Sequence, residues 1–275
     1  MRNTTLAFVL FLAACGEGSG TLVSTVYGEE FIEEGIPSNV FEDGWAVSFD
    51  KFLVSIGNVA GKAGEGGDEV GDPAFHVVDI SQASGGEGFE LASVDAPGGY
   101  YDHYGYQLVS IATATALNVD EADVTAMKNA GYSIWVKGSA TKGGVTKTFD
   151  WGFAFKYTFA HCDLGGAVDG NALVAQATIH ADHLFYDDAV SDEPNVAFQL
   201  IADADGAAGA AADGAITMDE LAAVDIRGEE RYQVGSLEHP SGEAITNLRR
   251  YIEVQSITLG HINGEGHCED QLAVE

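Results

Sequence analysis

Basic residues are scarce in this chain: Lys and Arg number 12 against 43 Asp and Glu, a net charge of −31 over 275 residues. Such a field repels phosphate backbones and anionic lipid head groups, so nucleic acid is not expected as a partner. After the first fourteen residues there is no hydrophobic stretch near the roughly 20 residues that a membrane-spanning helix needs. Familiar catalytic signatures are also missing. There is no G-x-S-x-G nucleophile elbow, no H-E-x-x-H zinc helix, no P-loop and no dinucleotide glycine fingerprint after a strand. Paired carboxylates for glycan hydrolysis remain open in so acidic a chain, although no spacing singles out a pair. A non-enzymatic role is therefore the first expectation, and an envelope hydrolase a lower alternative. No internal repeat is present.

Hydrophobic residues make up 46% and aromatics 10% of the chain, too many for a disordered acidic polymer. The composition predicts a folded core under an acidic coat. The acidic excess fits calcium sites or a salty habitat where screening tolerates self-repulsion, and habitat accounts for most of it.

The N-terminus has a charged start at Arg2, an apolar run from Leu6 to Ala14, and small residues directly before Cys15, the layout of a secretory signal. Leu12-Ala13-Ala14-Cys15 resembles the lipobox of bacterial lipoproteins. That resemblance implies cleavage before Cys15, lipidation of its thiol, and a membrane reached through the lipid. An ordinary signal peptide containing a cysteine is the alternative. Gly16 in place of Asp implies, by analogy with Gram-negative lipoproteins, sorting to the outer membrane.

Lipidation of Cys15 would leave Cys162 and Cys268 as the one pair in an oxidising compartment, and a disulfide is expected between them. Each follows a histidine, in His161-Cys162 and His267-Cys268, so a reduced pair would offer a two-Cys, two-His zinc site instead.

Alternating polarity predicts strands at Thr21 to Tyr27, Phe75 to Ile80, Gly88 to Val94 and Tyr104 to Ala112. A longer strand, Trp45 to Val59, changes parity near Asp50-Lys51, as at a bulge. Tyr100, Tyr101, Tyr104 and Tyr106 cluster after a Pro-Gly-Gly turn, either capping the core or facing a ligand. A helix is expected over Asp120 to Ala130, with Asp120 as N-cap and Gly131 past its end. Lys142-Gly143-Gly144 reads as a hairpin turn between Tyr132 to Ala140 and Val145 to Ala160. Phe149, Trp151, Phe153, Phe155, Tyr157 and Phe159 share one parity and predict a central strand with one buried aromatic face. Leu173 to Phe185 reads as a further strand, followed by helices at Asp192 to Ala202, Thr217 to Val224 and Glu243 to Ile257. Strands first and helices later predict a mainly β fold: an antiparallel β-sandwich with a mainly helical C-terminal part. The expected divisions are a signal peptide (1–14), a lipidated tether (15–20), the sandwich (21–190), an insert (191–226) and a C-terminal helix and loop packed on the sandwich through the disulfide (227–275).

Asp203-Ala204-Asp205 and Asp213 to Leu221 resemble the two halves of an EF-hand calcium loop, in which alternate carboxylates, a turn glycine and a final bidentate Glu wrap a hard cation. The resemblance implies calcium ligation by Asp203, Asp205 and Asp213, the Ala215 carbonyl, a water on Thr217, and Glu220, between flanking helices. The pattern departs from the family in one respect: Asp205 to Asp213 is eight positions where the family has two, so the stretch Gly206 to Ala212 lengthens the loop by six residues. Loop closure tolerates such an insertion at a cost well under about 1 kcal/mol if the ligand geometry survives. A degenerate loop is the alternative.

His180-Ala181-Asp182-His183 offers transition-metal ligands. In a continuous strand, however, His180 would share a face with Thr178 and Asp182, while His183 would point with Ile179 and Phe185 into the core. The two rings meet only if the strand ends between them. The glycine-flexed segment His261 to Cys268 brings His261, Glu265 and His267, and the expected disulfide would bring His161 near. A composite site of His161, His180, His183, His261 and His267 is the resulting candidate. The aromatic strand, the His-Cys step and the His-bearing strand after it resemble the copper-binding periplasmic proteins associated with methanobactin uptake, which implies copper. The leading functional expectation is a calcium-stabilised binding or structural module of the cell envelope with an unidentified protein or ligand partner. Its alternative is a copper- or zinc-binding or delivery protein.

Overall fold

In the computed structural model, residues 18–64, 66–209 and 211–273 are described. The expected signal segment, the lipobox-like Leu12–Cys15 and the proposed lipidation site lie outside them. No helix among the described residues is long and apolar enough to cross a membrane.

The elements run β1 (Gly20–Tyr27), α1 (Glu29–Glu33), β2 (Ala46–Lys62), β3 (Glu69–Asp79), β4 (Phe89–Ala96), β5 (Gly99–Leu108) and β6 (Thr115–Ala116). There follow α2 (Glu121–Ala130), β7 (Ile134–Lys142), β8 (Val145–Phe153), β9 (Tyr157–Val168), β10 (Ala172–Ile179) and α3 (Gln199–Asp203). The chain ends with β11 (Ala215–Ile216), α4 (Met218–Ala223), α5 (Leu248–Gln255), β12 (Gly260–Ile262) and β13 (Cys268–Ala273). The fold is mainly β.

Two sheets share one buried cluster. The smaller has the order β12-β10-β1-β4; the larger runs β11-β8-β7-β2-β5-β9-β13, with β3 beside β2 and β6 beside β3. They are mixed, not purely antiparallel, because β1 and β10, β11 and β8, and β3 and β6 pair in parallel. Strand β2 is long enough to exchange neighbours on one edge, from β7 to β5, and its register slips between Phe49 and Lys51, where the sequence predicts a bulge. Gly61 on β2 makes room for the facing sheet: a Cβ there would lie 2.8 Å from Leu22 of β1.

Helix α2 falls where its signals put it, with Gly131 left-handed at its end (φ 75°). The aromatic run is a different matter. It divides between two strands that pair with different neighbours, β8 with β7 and β9 with β5 and β13. Shared parity carried through the break at 154–156 and imitated one strand. Tyr101, Tyr104 and Tyr106 are buried in the core, while Tyr100 stands exposed.

The C-terminal part is less helical than its periodicity suggests. The helix expected at Asp192 to Ala202 shortens to α3, and that at Glu243 to Ile257 shortens to α5. Two strands return, β12 completing the smaller sheet and β13 edging the larger one. Within the C-terminal division, residues 227–273 are thus hydrogen-bonded into both sheets and not merely stapled to them. The disulfide Cys162–Cys268 is formed, between directly paired positions of β9 and β13.

Candidate metal centre

Strand β10 stops at Ile179, not at Phe185 as the alternation predicts. His180 caps a 3-10 turn over Ala181–Phe185, in which Ala181, Leu184 and Phe185 are buried. A 3-10 turn superposes residues three apart, so His183 comes round to the side of His180 while Leu184 and Phe185 take the core positions. The placement of His183 beside Phe185 in the core is corrected by this break.

The third ring comes from β12. His261 pairs with Thr178 across the β10–β12 ladder, and His180, two residues after Thr178, lies on the same face. Strand β12 is fixed from the larger sheet as well. The Tyr106 hydroxyl donates to the His261 carbonyl at 3.1 Å, and its ring stacks on Phe159 with centroids 4.8 Å apart. Gly260 permits this approach, since a Cβ there would sit 2.4 Å from the Tyr106 oxygen.

The result is a trio: one ring nitrogen from each of His180, His183 and His261 lies within 4.8 Å of the others. Ring centroids are 4.2 Å apart for His180 and His261, 5.3 Å for His183 and His261, and 5.6 Å for His180 and His183. Metal–nitrogen bonds of about 2.0–2.1 Å place bound nitrogens about 3.3–3.6 Å apart, so side-chain rotation by about 1 Å would close the set.

The hydrogen bonds leave lone pairs on these rings. His183 Nδ1 is 3.0 Å from Thr258 Oγ1, whose own proton goes to the Gln255 carbonyl at 3.0 Å. Thr258 must therefore accept, and His183 keeps its lone pair on Nε2. His180 Nε2 lies 3.2 Å from the Gly264 carbonyl, to which Thr178 also donates at 2.7 Å, leaving Nδ1 as the lone-pair nitrogen of His180. His261 Nδ1 is buried without a hydrogen-bond partner. Burial holds His183 down to about 4 and His261 down to about 3, with the neighbouring imidazoles adding to both shifts. Both rings are consequently neutral near pH 7, the form a metal needs.

Carboxylates surround the trio. Glu29 Oε1 is 3.6 Å from His180 Nε2, and Glu265 Oε1 is 4.0 Å from His180 Nδ1. Burial raises the Glu29 carboxyl while His180 pulls it back down. Glu29 also adopts a left-handed backbone (φ 54°), unusual for a non-glycine residue. Tyr186 packs on His183 at 4.6 Å and donates to Asp182 at 2.9 Å. Glu29 and Thr258 carry no local sequence signal, because their role depends on where distant segments meet.

Of the other predicted ligands, His267 stands near, its ring 5.4 Å from His261. His161 does not join. It lies in a left-handed bulge of β9 (φ 51°) with its ring 5.3 Å from His103.

The expected calcium loop, between α3 and α4, has its carboxylates engaged within the chain. Asp205, a half-buried residue whose side chain is almost inaccessible, is ion-paired with Lys147 and accepts from the amides of Asp213 and Gly214 at 3.0 Å each. Glu220 accepts from Gly206 N through one oxygen and from Thr217 N through the other, all at 2.8 Å, completing a capping box at the start of α4. Asp203 accepts from Gln199 at 2.9 Å, and Asp213 from the Ala215 amide at 2.9 Å. The ammonium of Lys147 thus stands where a cation would meet Asp205.

One further histidine has polar partners of catalytic type. His239 bridges Ser241 Oγ (2.7 Å) and Glu253 (3.0 Å). The Ser241 amide donates to the same Nδ1 at 3.2 Å, and its hydroxyl is also 3.1 Å from Glu243, as in a turn cap.

Comparison of the chain with known protein families, curated proteins and solved structures finds no match, so the histidine trio is assigned on its own geometry.

Proposed function

We propose that this protein binds a transition-metal ion through His180, His183 and His261 and acts in the cell envelope as a metal-binding or delivery module. The observation that carries this is the convergence of one nitrogen from each of three imidazoles within 4.8 Å, with a buried His261 Nδ1 that has no hydrogen-bond partner. Such an orphan costs about 1–3 kcal/mol, and metal coordination would relieve it. Neutral imidazole suits copper and zinc, and for nitrogen ligands copper(II) binds more tightly than its neighbours in the first transition row. Copper is therefore the first candidate and zinc the second. The resemblance to methanobactin-associated proteins points to the same ion. Glu29 and Glu265 add negative potential that favours a cation.

The lipobox at Leu12–Cys15 supports a lipid-anchored position at the outer membrane. A calcium-stabilised structural role ranks second here, because Lys147 already neutralises Asp205.

The test is metal analysis of the full chain purified without chelator, followed by titration with copper(II) and zinc(II). About one tightly held equivalent, lost in His261→Ala, is expected for a three-histidine centre. A chain that retains no metal and binds neither ion would have no such centre.

A further inference from the structure

His180 and His261 are buried and His183 is half-buried, whereas Asn263, Glu265 and His267 on the segment that follows His261 are exposed. Three imidazole nitrogens leave one position of a tetrahedral or tetragonal ion unfilled. The ring of His267 lies 5.4 Å from that of His261, just outside the group whose ligand nitrogens all lie within 4.8 Å of one another. Its backbone is held in place: the His267 carbonyl accepts from the Asp163 amide at 3.3 Å, and the next residue is bonded to Cys162. The anchor fixes the main chain while the residue itself is exposed to solvent. Glu265, the other ligand type on this segment, reaches as far as His180 Nδ1 at 4.0 Å, with its side chain 88% exposed.

Resting on the metal-binding role above, we propose that His267 is the fourth ligand of the ion and the one through which the ion enters and leaves. Four nitrogens would saturate a tetrahedral centre and leave no site for an activated water, which suits holding and transfer better than hydrolysis. Rotation of the exposed imidazole opens the coordination shell on its outer side, so that an incoming ligand can bind there before the inner three release. The disulfide keeps this gate aligned by fixing β13 to β9.

Cobalt(II) is the probe, since its visible absorption reports coordination number and geometry. Titration of the full chain should give a tetrahedral spectrum. His267→Ala, a change at an exposed position, should keep the wild-type melting curve and still bind cobalt, with a shifted spectrum, faster release to a chelator and at least about tenfold weaker affinity. His267→Glu, which restores an oxygen ligand, should recover part of that loss. If His267→Ala matches wild type in spectrum, affinity and release while His261→Ala abolishes binding, His267 is not a ligand and the three-histidine centre stands. If the wild-type chain binds no cobalt, copper or zinc, the centre and its gate both fall.

Discussion

Thr258 Oγ1 accepts a hydrogen bond from His183 Nδ1 because its own proton is directed at the Gln255 carbonyl, and this leaves the His183 lone pair on Nε2. Partners of this kind fix both tautomer and ring orientation of a metal ligand. Thr258→Val should therefore weaken copper(II) or zinc(II) binding by about 10–100-fold with little change in melting temperature. A competition titration against a chelator measures it. Unchanged affinity would mean that packing alone, including Tyr186, orients the ring.

Acid should loosen the fold through the same rings. His183 and His261 fall from 6.5 to about 4 and about 3 in the folded chain, so between those values the unfolded chain binds more protons. Stability is then fully present above pH 6.5 and is lost as pH falls through that window. Asp205 and Glu220, held below 3.8 and 4.5 by Lys147 and by the Thr217 amide, add their own loss only at lower pH. The urea midpoint of metal-free protein should thus drop between pH 7 and pH 5, and drop less in His183→Gln. Equal pH profiles for the two would show that His183 does not carry the effect.

Lys147 and Asp205 form an ion pair whose side chains are 18% and 2% exposed. Removing one partner of a buried pair leaves an uncompensated charge, and Lys147→Met should cost about 3 kcal/mol, at the low end for such pairs because Lys147 keeps some water. Millimolar calcium should raise the melting temperature of that variant and leave wild type unmoved. A calcium-dependent rise in wild type would show the loop taking the ion with Lys147 in place.

Cys162 and Cys268 are 106 residues apart. Closing a loop of that length is worth about 4–5 kcal/mol in the chain-entropy treatment. The paired change Cys162→Ser and Cys268→Ser should lower unfolding stability by up to that amount and speed amide exchange in β13. Exchange as slow as in wild type would mean that the ladder with β9 holds the strand unaided.

Much of the framework was legible locally. The bulge near Asp50-Lys51, helix α2 with its glycine stop, and the hairpin at Lys142-Gly143-Gly144 each follow from side-chain alternation or turn chemistry within a few residues. The cysteine pair followed from chemistry and compartment. Errors arose where one pattern ran across a break: the aromatic parity joined β8 to β9, and alternation carried β10 past Ile179 into the 3-10 turn. Periodicity records which side a residue faces, not where hydrogen bonding stops.

The sequence by itself determined a mainly β chain with an acidic coat, one disulfide, and histidines in two short segments. Tertiary structure decided which histidines meet. His180 and His183 converge because β10 ends where Leu184 and Phe185 claim the core, and His261 joins them because β12 pairs with β10 across more than eighty residues of chain, with Tyr106 holding its backbone. The same long-range packing set Lys147 against Asp205 and turned His161 away towards His103. Local propensity fixes neither, because each depends on burial summed over segments distant in sequence.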